Sequence, residues 1–203
     1  MNQRLLLAQL IFLALASVGR GEPQTQPAAD SPKAALKAQD AAAKSGSVNA
    51  DMDFYQAEGD QQKKLAQAIA EGDVGVAKLE KTVGEHFGKA LAAAAVRAAG
   101  TEDNESIDSA SESVNGDHAT VRFEHQQSAV PMIKAEGKWK ISLGDWTKGA
   151  SSNDVDQLIS KLGELAAGID RITDLVAHDK FRSGEGVRDR VQELHDRLFA
   201  PNH

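Results

Sequence analysis

The clearest alternation of apolar and polar positions lies within residues 114–143. A period of two indicates strands that are buried on one face. Glycines at Gly116 and Gly137 supply the positive φ that tight hairpin turns need. Three short antiparallel strands are therefore predicted, with a fourth over about 106–114 before them. One buried face is expected to hold Val121, Phe123, Trp139, Ile141 and Leu143.

Helical spacing of apolar residues precedes these strands. Lys33–Lys44 and Asp53–Ala70 each predict a helix. Glu71, Gly72 and Asp73 should stop the second one, and Asp73 should cap a third helix that ends near Gly100. Two glycines inside the third helix, at 84 and 88, predict a bend.

The most regular pattern is at the C-terminal end. Apolar residues recur at alternating intervals of three and four, which is typical of a helix with one buried stripe. The stripe contains Val155, Leu158, Leu162, Leu165, Ile169, Ile172 and Val176, and a shorter stripe contains Val187, Val191, Leu194 and Leu198. A hairpin of Ser152–His178 against Gly184–Phe199 is predicted. Its uncovered half, Val155–Leu165, must pack on the main domain, on a second copy or on another protein.

These elements predict an α+β fold: N-terminal helices packed on a short antiparallel meander sheet, followed by a C-terminal two-helix hairpin. The expected divisions are a signal peptide (1–21), a disordered linker (22–32), an α+β cone-like domain (33–147) and a helical hairpin (151–200).

The N-terminus has the pattern of a secretory signal, because Arg4 precedes the apolar run Leu5–Ala16. That run is shorter than the roughly 20 residues of a spanning helix, although an uncleaved anchor is the alternative interpretation. The chain has no cysteine, and hence no acceptor for a lipid anchor and no disulfide. We expect export to the periplasm or outside a bacterial cell, with a soluble product after cleavage.

Charge argues against two classes of partner. The formal net charge is −7, and removal of residues 1–21 takes away two arginines and no acid, which makes it −9. Nucleic acids and anionic membranes need clustered positive charge, so neither is expected as a partner.

The residues that carry most enzyme chemistry are absent or badly spaced. The chain contains no G-x-S-x-G elbow and no glycine-rich phosphate loop. Its histidines have no metal-binding spacing: they are His86, His118, His125, His178, His195 and His203. We assign no catalytic, metal or cofactor-binding residue and expect no cofactor.

Three weaker candidates favour structural roles. Tyr55 could be an oxyanion donor, but beside Phe54 on a helix it is more often a core residue with its hydroxyl at the surface. Trp139 could line a cavity, but between lysines in a strand it is more often a core anchor. The acidic rim is interpreted as a solvated surface: Glu102, Asp103, Glu105, Asp108 and Glu112.

Two segments carry a family resemblance. VNGDHATVRF (Val114–Phe123) and VPMIKAEGKWKI (Val130–Ile141) resemble the C-terminal strands of exported domains in the nuclear-transport-factor-like, or ketosteroid-isomerase-like, superfamily. The resemblance implies an antiparallel sheet curled around helices into a cone. Catalytic members use an acidic or histidine base and a tyrosine donor inside the cone. No such set falls on matching positions here, and the lipid-anchoring cysteine of the family is missing.

The first functional hypothesis is an exported, non-catalytic binding or interaction module. The alternative is a small-molecule-binding protein, or an isomerase- or dehydratase-like enzyme, that uses a cavity inside the cone. The expected partner is an unidentified protein or a small apolar ligand, and the C-terminal helices could also form a homodimer.

Overall fold

The computed structural model describes residues 31–100, 107–124 and 129–200. The predicted signal peptide lies outside these ranges, as does most of the predicted linker. The described helices are α1 (Pro32–Lys44), α2 (Val48–Met52), α3 (Gly59–Phe87), α4 (Lys89–Ala98), α5 (Leu143–Trp146), α6 (Ser152–Ala177) and α7 (Gly184–Phe199). The described strands are β1 (Tyr55–Gln56), β2 (Ser111–Asn115), β3 (His118–Arg122), β4 (Val130–Ala135) and β5 (Lys138–Ser142).

The sheet has the strand order β1-β5-β4-β3-β2. Strands β2 to β5 form the predicted antiparallel meander, and the short strand β1, which was not predicted, adds in parallel to β5. The Ile141 amide donates to the Phe54 carbonyl at 2.7 Å, so the link is made by backbone atoms. The class α+β is correct, but the sheet is mixed.

One face of the sheet is buried, as the alternation predicts. Ala119, Met132, Ile141 and Tyr55 are register partners across four strands, and all four are buried. The predicted set of Val121, Phe123, Trp139, Ile141 and Leu143 is buried too. Leu143 differs in being the first residue of α5 and not the end of a strand.

Helix α1 covers this buried face. Ser31 caps it by accepting from the Ala34 amide at 3.2 Å, and Pro32, expected to lie in the linker, is its first residue. Proline fits there because the first helical amide has no intrahelical acceptor. Leu36 is only 1% exposed, and α1 contacts β3 and β5.

Helix α3 is continuous through the predicted break. The prediction that Asp73 caps a helix is wrong, because the residue is buried in the middle of α3. Its carboxylate is hydrogen-bonded to side chains of other elements. Helix α6 lies close to α3 at Gly75, where a Cβ would make an ordinary van der Waals contact of 3.6 Å with Ile169 Cγ2. The predicted bend is confirmed as an interruption at Gly88, which has a φ of 91° and separates α3 from α4.

The predicted arrangement of layers is wrong. Helix α3 packs mainly against α6 and α4 rather than on the sheet, and α7 packs against α4 and α6. The reason is one of length: α7 has 16 residues and cannot cover the 26-residue α6, whereas α3 has 29. One cluster of buried side chains therefore runs from α1 and the sheet into both C-terminal helices.

Candidate functional site

A groove lies between α6 and α7. Two stripes of side chains face each other across it, each repeating on successive helical turns. Its volume is about 370 Å³, which is at the small-molecule end of the scale for ligand sites. It is lined by Gly168, Arg171, Ile172 and Leu175 of α6 and by Arg190, Glu193, Leu194 and Arg197 of α7.

The floor of the groove is apolar. Ile172 and Leu194 are buried at 4% and 7% exposure, whereas Leu175 is 44% exposed. Gly168 brings the helices together there: a Cβ at this position would lie 2.4 Å from Leu194 Cδ2. The groove thus combines a close helix crossing at Gly168 with a partly uncovered leucine, Leu175, about two turns away.

The polar part of the lining is basic. Three arginines and one glutamate give this groove a net charge of +2 in a chain of net charge −7. Arg190 Nη1 donates to Glu193 Oε2 at 2.8 Å, and Arg171 Nε donates to the Ala167 carbonyl at 3.1 Å. Within the described residues, Arg197 has no ion pair. Guanidinium groups match carboxylates and phosphates in a bidentate geometry.

A second unusual feature is a buried polar cluster, the Gln39 cluster, in which one amide joins two carboxylates. Gln39 Nε2 donates to Asp51 Oδ1 at 2.7 Å and to Asp73 Oδ2 at 2.9 Å. The Tyr55 hydroxyl donates to the same Asp73 oxygen at 3.1 Å. These four side chains come from α1, α2, α3 and β1, so the cluster ties four elements together.

Both carboxyl groups of the Gln39 cluster have raised pKa values. Burial, and then the charge of Asp73, raises the pKa of Asp51 to about 8. Burial raises the pKa of Asp73 to about 7, although the hydrogen bonds from Tyr55 and Gln39 oppose this. Burial, and then the neighbouring carboxylates, also raises the pKa of Tyr55 well above its usual value, so its hydroxyl remains a donor.

The Gln39 cluster can hold protons but cannot meet a substrate directly. Its four side chains, Gln39, Asp51, Asp73 and Tyr55, are 1%, 0%, 2% and 6% exposed. The interpretation of Tyr55 as a core residue is confirmed, but its predicted helix and its predicted surface hydroxyl are wrong. The residue is in a strand and not a helix, and its hydroxyl is buried on Asp73 instead of reaching the surface.

The remaining candidates have structural surroundings. Trp139 is 5% exposed in the core and has Lys134 Nζ 5.9 Å from its ring centroid. Of the acidic rim, Asp108 pairs with Lys37 at the surface, and Glu112 Oε2 accepts from the Lys33 amide at 3.2 Å. The other rim residues lie outside the described ranges: Glu102, Asp103 and Glu105.

The histidines are dispersed. His86 lies 3.3 Å from Asp179, and His195 stacks on Phe199 with ring centroids 5.2 Å apart. Across 31–100, 107–124 and 129–200, no three His, Asp or Glu side chains are arranged to hold a metal ion. Two histidines lie outside these ranges, His125 and His203.

Sequence reasoning missed both the groove and the Gln39 cluster. The groove had a usable signal, because Leu175 falls outside the regular α6 stripe and Arg190 and Arg197 are seven residues apart on either side of Leu194. The cluster had almost none. Its residues are up to 34 positions apart, and Gln39 and Asp51 look like ordinary surface residues in the sequence.

Comparisons with known proteins identify no family. No family model, curated protein or solved structure matches this chain. None of the helices in the described part of the chain has the length and apolar character that a membrane span requires.

Proposed function

We propose that the protein is a binding module that takes a small amphiphilic anion into the α6–α7 groove. The ligand class is a carboxylate or phosphate head group on a short apolar body. The observation that carries the proposal is the combination of three arginines with a partly uncovered apolar floor.

The groove chemistry supports a charged head group over a purely apolar ligand. Arg171 and Arg190 are on facing helices, and Arg197 lies two turns beyond Arg190 on α7. An anion between them would accept charge-assisted hydrogen bonds, each of which contributes about 1.5–3 kcal/mol when shielded and less at an exposed site. The apolar body would cover Leu175 and Ile172.

The expected affinity is modest. Decanoate has about 12 non-hydrogen atoms, and about 0.5 kcal/mol for each is within the usual range for small ligands. That gives a binding free energy of about −6 kcal/mol and a Kd of roughly 40 μM. A half-open groove with exposed arginines fits a value in this range, and raising the salt concentration should weaken binding.

Fluorescence titration tests the proposal. The probe is 8-anilinonaphthalene-1-sulfonate, itself an amphiphilic anion, and decanoate is the competitor. Decanoate should displace the probe, and the uncharged decyl maltoside should not. Arg171→Gln and Arg197→Gln should each weaken decanoate binding about fivefold, the loss of about 1 kcal/mol.

Arg188→Gln is the matched control. Arg188 is also on α7, but it pairs with Asp189 outside the groove lining. Its variant should bind decanoate within about twofold of the native protein. Equal displacement by decanoate and decyl maltoside, or equal losses in all three variants, would refute binding at this groove.

Two further parts of the proposal concern location and ancestry. The apolar segment after Arg4 supports export, with the module working outside the cytoplasm. The strands that contain Val114–Phe123 and Val130–Ile141 support a distant relation to the nuclear-transport-factor-like superfamily. The meander fits that relation, but the packing of α3 on α6 departs from a simple cone.

A further inference from the structure

The Gln39 cluster contains more acceptor atoms than donors. Asp51 Oδ2, Asp73 Oδ1 and Gln39 Oε1 are buried without a hydrogen-bond partner, while the other carboxylate oxygens share one amide and one hydroxyl. Burying an unpaired charge is expensive, so a buried carboxyl group neutralises when it can. Protons on Asp51 Oδ2 and Asp73 Oδ1 would neutralise both carboxyl groups and add hydrogen-bond donors to the cluster.

We propose that the Gln39 cluster is a proton-dependent latch: with both carboxyl groups neutral, it fastens α1 and α2 to α3, and loss of the protons releases them. The inference is independent of the groove. Gln39 is the only residue of the cluster on α1, and it bonds to both Asp51 on α2 and Asp73 on α3.

One charged group outside the cluster, Asp40, adds to the sensitivity of the latch. On α1, Asp40 faces both carboxyls and raises their pKa values, and Lys44 Nζ pairs with Asp40 Oδ2 at 2.8 Å. On β1, Tyr55 is held neutral as described. Among the other neighbours of α3, α6 supplies Asp170 and Asp174, which lie at the surface 3.9 and 3.8 Å from Lys78.

The cations of the described strands have other surroundings. Lys134 of β4 shares the face of Tyr55, but it is exposed and its Nζ lies over the Trp139 ring, 5.9 Å from the centroid. Lys138 and Lys140 of β5 alternate with the buried Trp139 and Ile141, so they are on the opposite face from Tyr55. On β3, His118 and Arg122 are on the exposed positions of the strand. A second negative charge in the cluster is therefore uncompensated, and the two carboxyls repel each other across the Gln39 amide.

Release would uncover the inner face of the sheet. Helix α1 packs on β3 and β5 through buried residues that include Ala35 and Leu36. The helices α3, α4, α6 and α7 pack chiefly on one another and would keep their contacts. Opening is therefore expected to be local, confined to α1 and α2.

Amide hydrogen exchange on the full chain tests the latch. Protection factors, corrected for intrinsic exchange, are measured at about pH 6 and about pH 9, on either side of the two carboxyl pKa values. Protection of α1 and α2 should fall at least about tenfold at the higher pH, whereas α6 should stay at least about tenfold more protected than α1 and α2 at both pH values. No fall in α1 and α2, or protection of α6 as low as that of α1 at the higher pH, would overturn the proposal.

Variants and spectroscopy make the result specific. Asp51→Asn with Asp73→Asn should abolish the difference between the two pH values, whereas Asp53→Asn, at an exposed neighbouring position, should retain it. Infrared spectroscopy of the native protein supplies a test without substitution. Two protonated carboxyl groups should give a carbonyl band at the lower pH that disappears at the higher one. A missing band, or a pH effect that survives in the double variant, would contradict the latch.

Discussion

Gly168 gives the sharpest test of the helix crossing that forms the groove floor. Replacement by alanine would place a Cβ 2.4 Å from Leu194 Cδ2, 2.8 Å from Cδ1 and 3.2 Å from Cγ. Because three atoms of one side chain are too close, Leu194 must leave its present position, or the two helices must separate. Gly163 is the matched control on the same helix, since a Cβ there meets nothing within 4 Å.

The two substitutions should change stability in opposite directions. Alanine in place of an interior helical glycine gains about 0.5–1 kcal/mol, and Gly163→Ala should show this gain. At Gly168 the same gain is offset by overpacking, which costs about 1–3 kcal/mol. We therefore expect a net loss of about 1 kcal/mol and a gap of about 2 kcal/mol between the variants.

Urea unfolding followed by circular dichroism measures the gap. Leu194→Ala should relieve the overlap, so the double variant should lose at least about 1 kcal/mol less than the sum of the two single variants. If both glycine variants are stabilised equally, or if Leu194→Ala shows no coupling to Gly168→Ala, the described crossing is incorrect.

Three further predictions concern the rest of the fold. Trp139→Ala should lower the free energy of unfolding by about 3–5 kcal/mol, because the residue is only 5% exposed. Lys138→Ala, at an exposed position of the same strand, should change it by no more than about 0.5 kcal/mol. Equal losses of stability in thermal melting would mean that the strand register is wrong. Gly184→Ala should cost about 1–3 kcal/mol, because the new Cβ would lie 2.6 and 2.8 Å from atoms of Leu91 on α4. Gly186→Ala, with its nearest contact at 3.6 Å, should change the stability by no more than about 1 kcal/mol. Denaturant midpoints measure the difference, and equal midpoints would rule out the α4–α7 packing. The pKa values of about 8 for Asp51 and about 7 for Asp73 lie above the unfolded value of 3.8, so the native state binds more protons than the unfolded state. The stabilisation from these protons is complete below about pH 4 and is lost up to about pH 8, at no more than about 1.4 kcal/mol per pH unit for each group. Asp73→Asn should flatten this dependence of the free energy of unfolding on pH in urea titrations, and an unchanged slope would contradict the assignment.

The strands of the meander could be predicted because one buried face requires strict alternation. Val121 and Phe123 on one strand and Trp139 and Ile141 on another reached the same face in the structure. The C-terminal helices were also placed correctly, since each has a single apolar stripe with a polar loop between them. These are local patterns, and local patterns are what a sequence carries most directly.

The continuity of α3 could not be predicted in the same way. Gly72 and Asp73 favour a break by their intrinsic propensities, but tertiary contacts offset that preference. Asp73 is bonded to Gln39 and Tyr55 inside the protein, and Gly75 is where α6 approaches. Strand β1 was missed for a similar reason, because its two residues depend on the backbone of β5.

The groove depends on how α3 and α4 pack against α6 and α7, and the heptad spacing of α6 and α7 does not predict that packing. The stripes on α6 and α7 predict which residues face inward, but not that α3 and α4 occupy part of those surfaces. Once they do, Leu175 remains partly uncovered beside Arg171 and Arg190. Knowing the basic residues was therefore not enough to predict a basic groove.

Nuclear magnetic resonance is the most direct test of anion binding in the α6–α7 groove. Amide spectra of the full-length native protein would be recorded during titration with decanoate. The account predicts saturable shifts concentrated at Gly168, Arg171, Leu175 and Leu194, with much smaller shifts across the sheet strands β2 to β5. Shifts that centre on the sheet, or no saturable shift on α6 and α7, would contradict the proposed site.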